Sequence, residues 1–322
     1  GERNMIEIDT SADSQNAAQD DLAPETTVAD PTVGNAGRGA MDTRTAVIRG
    51  LAIMVLVLTI GALLQVFVVG RIQHSASQQR LFDRFRSAAA SGTAPVGALD
   101  GEGRELPVGA PVAYLEIASI GLNEVVVQGT TPAATFLGPG HRRDTVLPGQ
   151  IGTSVILGRR SMFGGPFGRL SDLQAKETIK VTTGQGEFTF RVIGTRRAGD
   201  PQPAPVAVGG SRLTLVTASG SPYLASGALY LDADLEGTAV GPGPRIVTSA
   251  TLPAEEQVLA GDSRTLWALA LWLQALVVVL VAALWCWTRW GRAQAWVVLG
   301  PILLLLSVLV WDELARLFPN LA

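Results

Sequence analysis

The chain has 322 residues, of which 47% are hydrophobic and 16% charged, with 25 basic against 28 acidic side chains; its mean hydropathy is +0.29. A charged fraction well below the quarter usual for a soluble domain excludes a wholly water-exposed protein, and a net charge of -3 offers no basic field for a nucleic-acid partner. One cysteine excludes an intrachain disulfide framework and any multi-cysteine zinc or iron-sulfur centre, so no metal and no cofactor is expected.

Residues 1–43 are poor in bulky apolar side chains and rich in Asp, Glu, Ser, Thr, Ala and Pro, a composition that reads as a disordered cytoplasmic tail. The apolar run from Gly50 to Gly70 is long enough to cross a hydrocarbon core, and residues 44–72 are read as a first transmembrane helix. The run is longer than the apolar core of a signal peptide, begins some fifty residues into the sequence and is followed by no small-residue cleavage pattern. Residues 73–106 read as a juxtamembrane helix with Leu81, Phe82 and Phe85 at helical spacing, then a Gly/Pro-rich linker.

Short β-rich runs follow at Val112–Ile117, Glu124–Val127, Thr153–Leu157, Thr178–Thr182, Glu187–Ile193, Arg212–Thr217 and Ala228–Asp234, punctuated by Gly, Pro and Asp. No long helical period intervenes, so residues 107–236 are expected to form a closed or nearly closed β-barrel. A linker at 237–263 leads to two further apolar spans, 264–288 and 295–312, and a C-terminal tail at 313–322. Arg289 and Arg292, between the two spans and without acidic neighbours, place that link inside. The amino terminus then lies inside as well, and the barrel faces outward from a multi-pass plasma-membrane protein. All seven tryptophans lie between Trp267 and Trp311, as an interfacial belt would place them.

Within the barrel the order of motifs resembles the sortases, cysteine transpeptidases of Gram-positive cell surfaces, and among them the class E type of actinobacteria. YLEIASIGLNEVVVQGT is similar to their opening strand pair, and FLGPGHRRDTVLPGQIGTSVILG to the next loop and strand. RRSMFGGPFGRLSDL is similar to the segment after the catalytic histidine, and KETIKVTTGQGEFTFRVIG to the following hairpin. RLTLVTASGSPYLASGALYLDADL resembles the nucleophile strand and its successor. The resemblance implies a mainly β fold, a sortase-like closed barrel with short helices, to which three transmembrane helices are added. It also implies a family chemistry in which a cysteine cuts a signal such as LPXTG, a histidine moves the proton and an arginine steadies developing charge.

At the positions the resemblance marks, Arg159 stands for the histidine, Ala218 for the cysteine and Ala228 for the arginine; no Lys or Arg occurs between Arg212 and Arg245. On this reading the chain is degenerate at its catalytic positions and is expected not to be an enzyme. Ser219 adjoins the nucleophile position and His141 lies in the GPGH loop, but nothing in the sequence brings the two together. Three arginine pairs, Arg142 with Arg143, Arg159 with Arg160 and Arg196 with Arg197, would bind a carboxylate or phosphate if they met at the cleft; otherwise they are a solvated surface. Gln65 and Gln274 are polar residues inside spans and stand as intramembrane contacts.

The resulting expectation is an accessory or scaffold subunit of a cell-envelope complex, with the lipid bilayer and a membrane or cell-surface protein as partners. The alternatives are a module that holds a sorting-signal-like peptide or an anionic cell-wall ligand without cleaving it, and a sortase-type transpeptidase with relocated chemistry.

Overall fold

The computed structural model describes residues 43–221, 224–261, 266–289 and 292–321. The tail expected at 1–43 therefore lies, but for Thr43, outside the described residues. Residues Ile48–Ala322 form one compact unit.

The barrel is closed, with eight strands in the order β1-β2-β3-β4-β7-β8-β6-β5. They are β1 (Pro111–Ile117), β2 (Leu122–Gln128), β3 (Gly140–His141), β4 (Gly152–Leu157), β5 (Thr178–Thr183), β6 (Gly186–Arg197), β7 (Ser211–Ser221) and β8 (Leu224–Glu236). β3 pairs only Val127 and Gln128 of β2, so the earlier part of β2 meets side chains on that side instead of a strand. Two of the ladders, β2 with β3 and β4 with β7, are parallel and the rest antiparallel. Leu115, Ile117, Ile156, Phe190, Leu213, Leu215 and Leu231, all excluded from solvent, meet in the interior. The seven β-rich runs read from the sequence all fall on strands; β3, two residues long, gives no alternation to detect.

Among the described residues, three helices are long and apolar enough to cross a membrane. The first differs from the expected span plus separate juxtamembrane helix: α1 (Thr43–Leu64), a π-helical turn at Gln65–Val69 and α2 (Gly70–Ala90) run on without interruption. Gly70 keeps helical dihedrals of φ -59° and ψ -38°, so the glycine that suggested a boundary is simply part of the helix. A Cβ there would stand 3.0 Å from the Gln65 carbonyl, a tight approach, and in ordinary contact with Phe163 at 3.7 Å.

After the short helix α3 (Pro132–Leu137), α4 (Leu266–Arg289) and α5 (Arg292–Leu317) pair with α1 around Val57, Leu276, Leu280, Leu303, Leu306 and Val310. At one crossing a Cβ on Gly61 would lie 1.9 Å from Ser307 Oγ, and that hydroxyl donates to the Val57 carbonyl at 3.0 Å. Helix α5 also extends further than the expected span: residues 313–317, assigned to the tail, complete its last turns, supported by Arg316 bonding Asp312 one turn back at 3.0 Å. Residues 237–261 are not a free linker. Val240 bridges Gln150, Ile151 N-H donates to the Val240 carbonyl, and Glu256 is buried.

The α2 helix is fastened to the barrel by polar side chains that sequence reading left unassigned and by Leu81 and Phe85, which it had placed at helical spacing. Gln78 accepts from Val125 N-H at 2.6 Å and donates to the carbonyls of Val125 and Leu137 at 3.2 and 2.8 Å, standing in for a strand partner. His74 meets Glu124 at 2.9 Å with both side chains largely buried, and Leu81 and Phe85 pack on Val125 and Val127.

Candidate functional site at the end of strands β4, β7 and β8

Strand register brings together the three positions singled out in the sequence. Ala218 on β7 pairs directly with Ala228 on β8, and β4 runs parallel to β7 with Leu157 opposite Val216. Gly158 then donates to the Val216 carbonyl at 2.9 Å and accepts from Thr217 Oγ1, also at 2.9 Å, so the chain leaves the ladder at Arg159, beside Ala218. A Cβ at Gly158 would stand 2.3 Å from the Phe167 ring; only glycine lets that ring close over the strand end.

Arg159 is fully buried. Its guanidinium carbon lies 4.3 Å from the centre of the Phe136 ring and 5.5 Å from that of Phe163, and Nη2 donates to the Pro132 carbonyl at 3.4 Å. Removal from water lowers its pKa to about 9, since burial disfavours the charged form, while the aromatic faces offer a cation partial compensation. Arg160 turns the other way and donates from Nη1 to the carbonyls of Ala218 and Gly220 at 3.3 and 2.6 Å, gripping the end of β7.

The other arginines do not converge there. Arg142 pairs with Asp144 at 2.8 Å. Arg143 makes a forked pair with buried Glu256, through Nε at 2.9 and 3.1 Å and also through Nη2, and reaches Glu105 at 2.7 Å; these bonds raise its pKa further. Arg196 binds Asp232 at 2.7 Å and lies over the Tyr230 ring. Arg197 is exposed and lines, with Arg160, Phe167, Ala218, Ser219 and Leu229, an open cleft of about 200 Å³ beside Ala218. Three of the six arginines are thus held in ion pairs, Arg159 is buried against aromatic rings, and Arg160 and Arg197 line the cleft.

Ser219 and His141 are also kept apart. His141 pairs with Ile156, which lies opposite Leu215, four residues before Ser219. Its ring nitrogens are engaged by Gln128 Oε1 at 3.0 Å and the Val146 carbonyl at 2.9 Å, and burial lowers its pKa to about 4. Of the intramembrane glutamines, Gln65 donates to Asp312 Oδ1 at 3.0 Å, whereas Gln274 is exposed on α4. The sole cysteine, Cys286, lies on α4. Among the described residues no group of three or more His, Cys, Asp or Glu side chains is placed to hold a metal ion.

A segment that sequence reading treated as tail completes the site. Leu321, fully buried, packs on Leu157, Val216, Ala218 and Ala228, and its carbonyl accepts from Arg160 N-H at 3.1 Å. Asn320, also fully buried, donates from its amide to the carbonyls of Thr130 and Gln257 at 2.8 and 2.9 Å. An apolar residue following a Pro-Asn pair beyond a membrane-spanning helix gives no periodic signal, so only the tertiary structure reveals this seat.

The family model of the sortase domain aligns with this barrel. Residues 115–226 match it. Sortase D of Bacillus subtilis is 29% identical over 82 residues, 26% of this chain and 40% of the relative, so the chain spans well under half of that protein's length. A Clostridium perfringens sortase D5 transpeptidase superposes at 20% identity with a TM-score of 0.42, covering 50% of this chain and 99% of that one. A variant of sortase E from Streptomyces avermitilis gives 26% identity and a TM-score of 0.35, covering 47% and all of that structure. The family-model match and the sortase D relative correct the expectation that the chain is not an enzyme: the sortases are cysteine transpeptidases, and the match at 115–226 points to enzymatic activity. That expectation rested on individual residue types at three aligned positions, a narrower basis than the match of the whole domain.

Proposed function

We propose that this protein is an envelope-facing, multi-pass membrane subunit whose sortase domain is held as a fixed headpiece and serves as an accessory or scaffold in a cell-envelope complex. One observation carries the reading: the membrane helices and the barrel are joined through bonded side chains rather than a flexible stalk. Gln78 is built into the β2 edge, His74 meets Glu124, and α5 continues into a segment buried against Ala218. Such joints fix the barrel's height and orientation over the bilayer, as a scaffold requires. Charge asymmetry at the hairpin supports an inside link and an outside barrel. The outward faces of α1 and α4 carry Leu51, Val55, Leu56, Leu271, Val278 and Val281 exposed, suited to lipid and to a neighbouring membrane protein.

The match at 115–226 favours a second reading, a sortase-type transpeptidase with relocated chemistry; residues 107–236 contain no cysteine, so a hydroxyl such as that of Ser219 would have to act. Purification of the full chain from its native membrane in mild detergent, with mass spectrometry of co-purifying proteins, tests the first reading: a stoichiometric membrane partner is expected, and a protein that purifies alone overturns it. Incubating the same preparation with an LPXTG-type peptide and an amine tests the second. A ligated product that disappears with Ser219→Ala establishes it.

A further inference from the structure

Helix α2 carries four exposed arginines, Arg71, Arg80, Arg84 and Arg86, against one acid, Asp83. The arginines of the barrel at 142, 143, 196 and 212 each hold a carboxylate, but none of the four on α2 meets one among the described residues. Their place also runs against the bias that gathers basic residues at the other end of the spans, where Arg289 and Arg292 lie. An anionic partner at the barrel end accounts for them. Arg80 shows where it would sit: Nη2 donates to Ser77 Oγ at 3.5 Å, so the guanidinium leans back along the helix toward the apolar span.

There it lines an open cavity of about 360 Å³ between α2, α3 and α5, with Ile72, Ser77, Phe136, Asp312 and Arg316. On α5 the charged pair begins directly after the apolar run, which ends at Trp311. Both oxygens of Asp312 are occupied, Oδ1 by Gln65 and Oδ2 by Arg316 Nη2, each at 3.0 Å. Arg316 Nε lies 3.9 Å from Glu313, which is not part of the lining, and Nη1 meets no acceptor among the described residues. The lining therefore holds two arginines to one carboxylate, with unspent donors on both guanidinium groups.

We propose that this cavity binds the headgroup of an anionic glycerophospholipid, its phosphate held between Arg80 and Arg316 and its acyl chains passing Ile72. The height fits, because the cavity opens where apolar surface gives way to charge on two helices at once, the depth of a lipid phosphate. The chemistry fits, because a planar guanidinium meets phosphate with two parallel donors. Ile72 is 63% and Val68 45% exposed, an apolar path along the helix below the arginines. A lipid seated there bridges α5 to α2, which Gln78 and His74 fasten to the barrel, so the anionic content of the leaflet tightens the seating of the headpiece. The proposal rests on the helices crossing the bilayer and is independent of the scaffold role.

The test is native mass spectrometry of the full chain in neutral detergent, titrated with phosphatidylglycerol or with phosphatidylcholine of the same acyl chains. One phosphatidylglycerol is expected to be held about 20-fold more tightly, from about 5-fold per arginine. Arg80→Gln, which gives up only the Ser77 bond, should weaken it about 5-fold, and Arg80→Gln with Arg316→Gln should bring it to the phosphatidylcholine level. Arg191→Gln, on β6, should change nothing. Equal affinity for the two lipids overturns the site while leaving the spans in place; no retention of either lipid counts against spans and site together. A preference that survives the double substitution also overturns it. Inorganic phosphate at the lipid's concentration should leave the lipid bound; displacement would assign the cavity to the free ion and overturn the lipid reading.

Discussion

Two neighbouring regions, joined through Thr130, solve the burial of polar chemistry in opposite ways. Thr130 Oγ1 donates to the Glu256 carbonyl at 2.7 Å while its own carbonyl receives Asn320. On one side a guanidinium is buried against a carboxylate, the Arg143 and Glu256 side chains being 14% and 1% exposed. On the other, the positions that the sortase resemblance marks for chemistry hold two alanines, and a leucine from the end of α5 fills the space. The contrast teaches where this molecule is committed and where it can exchange parts. A buried ion pair has no substitute once one partner leaves, whereas an apolar seat accepts any residue of suitable shape.

The sharpest way to break this comparison is to remove the carboxylate. Glu256→Gln leaves the Arg143 charge buried with only Glu105 to meet it, and the loss expected on breaking a buried pair is about 3–5 kcal/mol. Thermal unfolding of the purified chain should show it, together with loosening of residues 237–261. A melting temperature unchanged within a degree would mean that this strap is not what holds Arg143 in place.

His141 extends the same side of the comparison to pH. Its folded-state pKa of about 4 lies below the ordinary value of 6.5, so between those values the unfolded chain binds a proton that the folded chain refuses. Stability therefore rises with pH across that window and is lost as pH falls from 6.5 toward 4, by on the order of 3 kcal/mol in total. Denaturant titrations at pH 7 and pH 4.5 should differ in the unsubstituted chain, and His141→Asn should remove most of that difference. Equal slopes in both proteins would place the acid sensitivity elsewhere.

Much of this organisation was legible in the residues, but unevenly. Strand runs such as EFTFRVIG alternate because one face is buried, and the apolar spans announce themselves by length; both are properties of contiguous sequence. The pairing of Ala218 with Ala228 was approached through motif order, and β-register then fixed it. What could not be read were contacts formed between distant residues: Arg143 with Glu256 across 113 positions, Gln78 with Val125, and Leu321 against β7. The arginine doublets looked alike as dipeptides, yet neighbours separate them. Asp144, Glu256 and Asp232 neutralise three of the six, while Arg159 turns inward between Phe136 and Phe163. Gln65 and Gln274 likewise share a residue type and a membrane setting, but only the first faces a partner helix.

On the apolar side of the comparison, Leu321→Ala should cost about 2–3 kcal/mol, toward the low end for a buried leucine because part-buried Tyr230, Val258 and Leu259 border the hole and can relax into it. The shape of the loss matters as much as its size. If the segment is only seated against the barrel, the variant releases residues 318–321 and the barrel melts where it did before, so hydrogen exchange rises at Arg160 and Asn320 while the amides of β4 and β7 keep their protection. A loss shared by β4 and β7 would mean that Leu321 belongs to the barrel core as firmly as Leu215 does.

The smallest effect tests whether the helices carry the segment's position. Gly61→Ala places a methyl 1.9 Å from Ser307 Oγ and 2.7 Å from its Cβ, too close for a rotamer change alone to relieve, so α5 must move away from α1 at an expected cost of about 1–2 kcal/mol. Pairing it with Ser307→Ala removes the nearer clash but also the hydroxyl bonded to Val57, and a double-mutant cycle separates the two contributions. Because Trp311 and Asp312 fasten α5 to the first helix little more than one turn beyond Ser307, the displacement should reach Phe318. A thiol placed beneath Leu321 by Ala218→Cys, in a Cys286→Ala background, should then label faster with a water-soluble maleimide in Gly61→Ala than in its parent, and recover with the Ser307→Ala partner change. Unchanged labelling would show that the bundle absorbs the shift before it reaches Leu321.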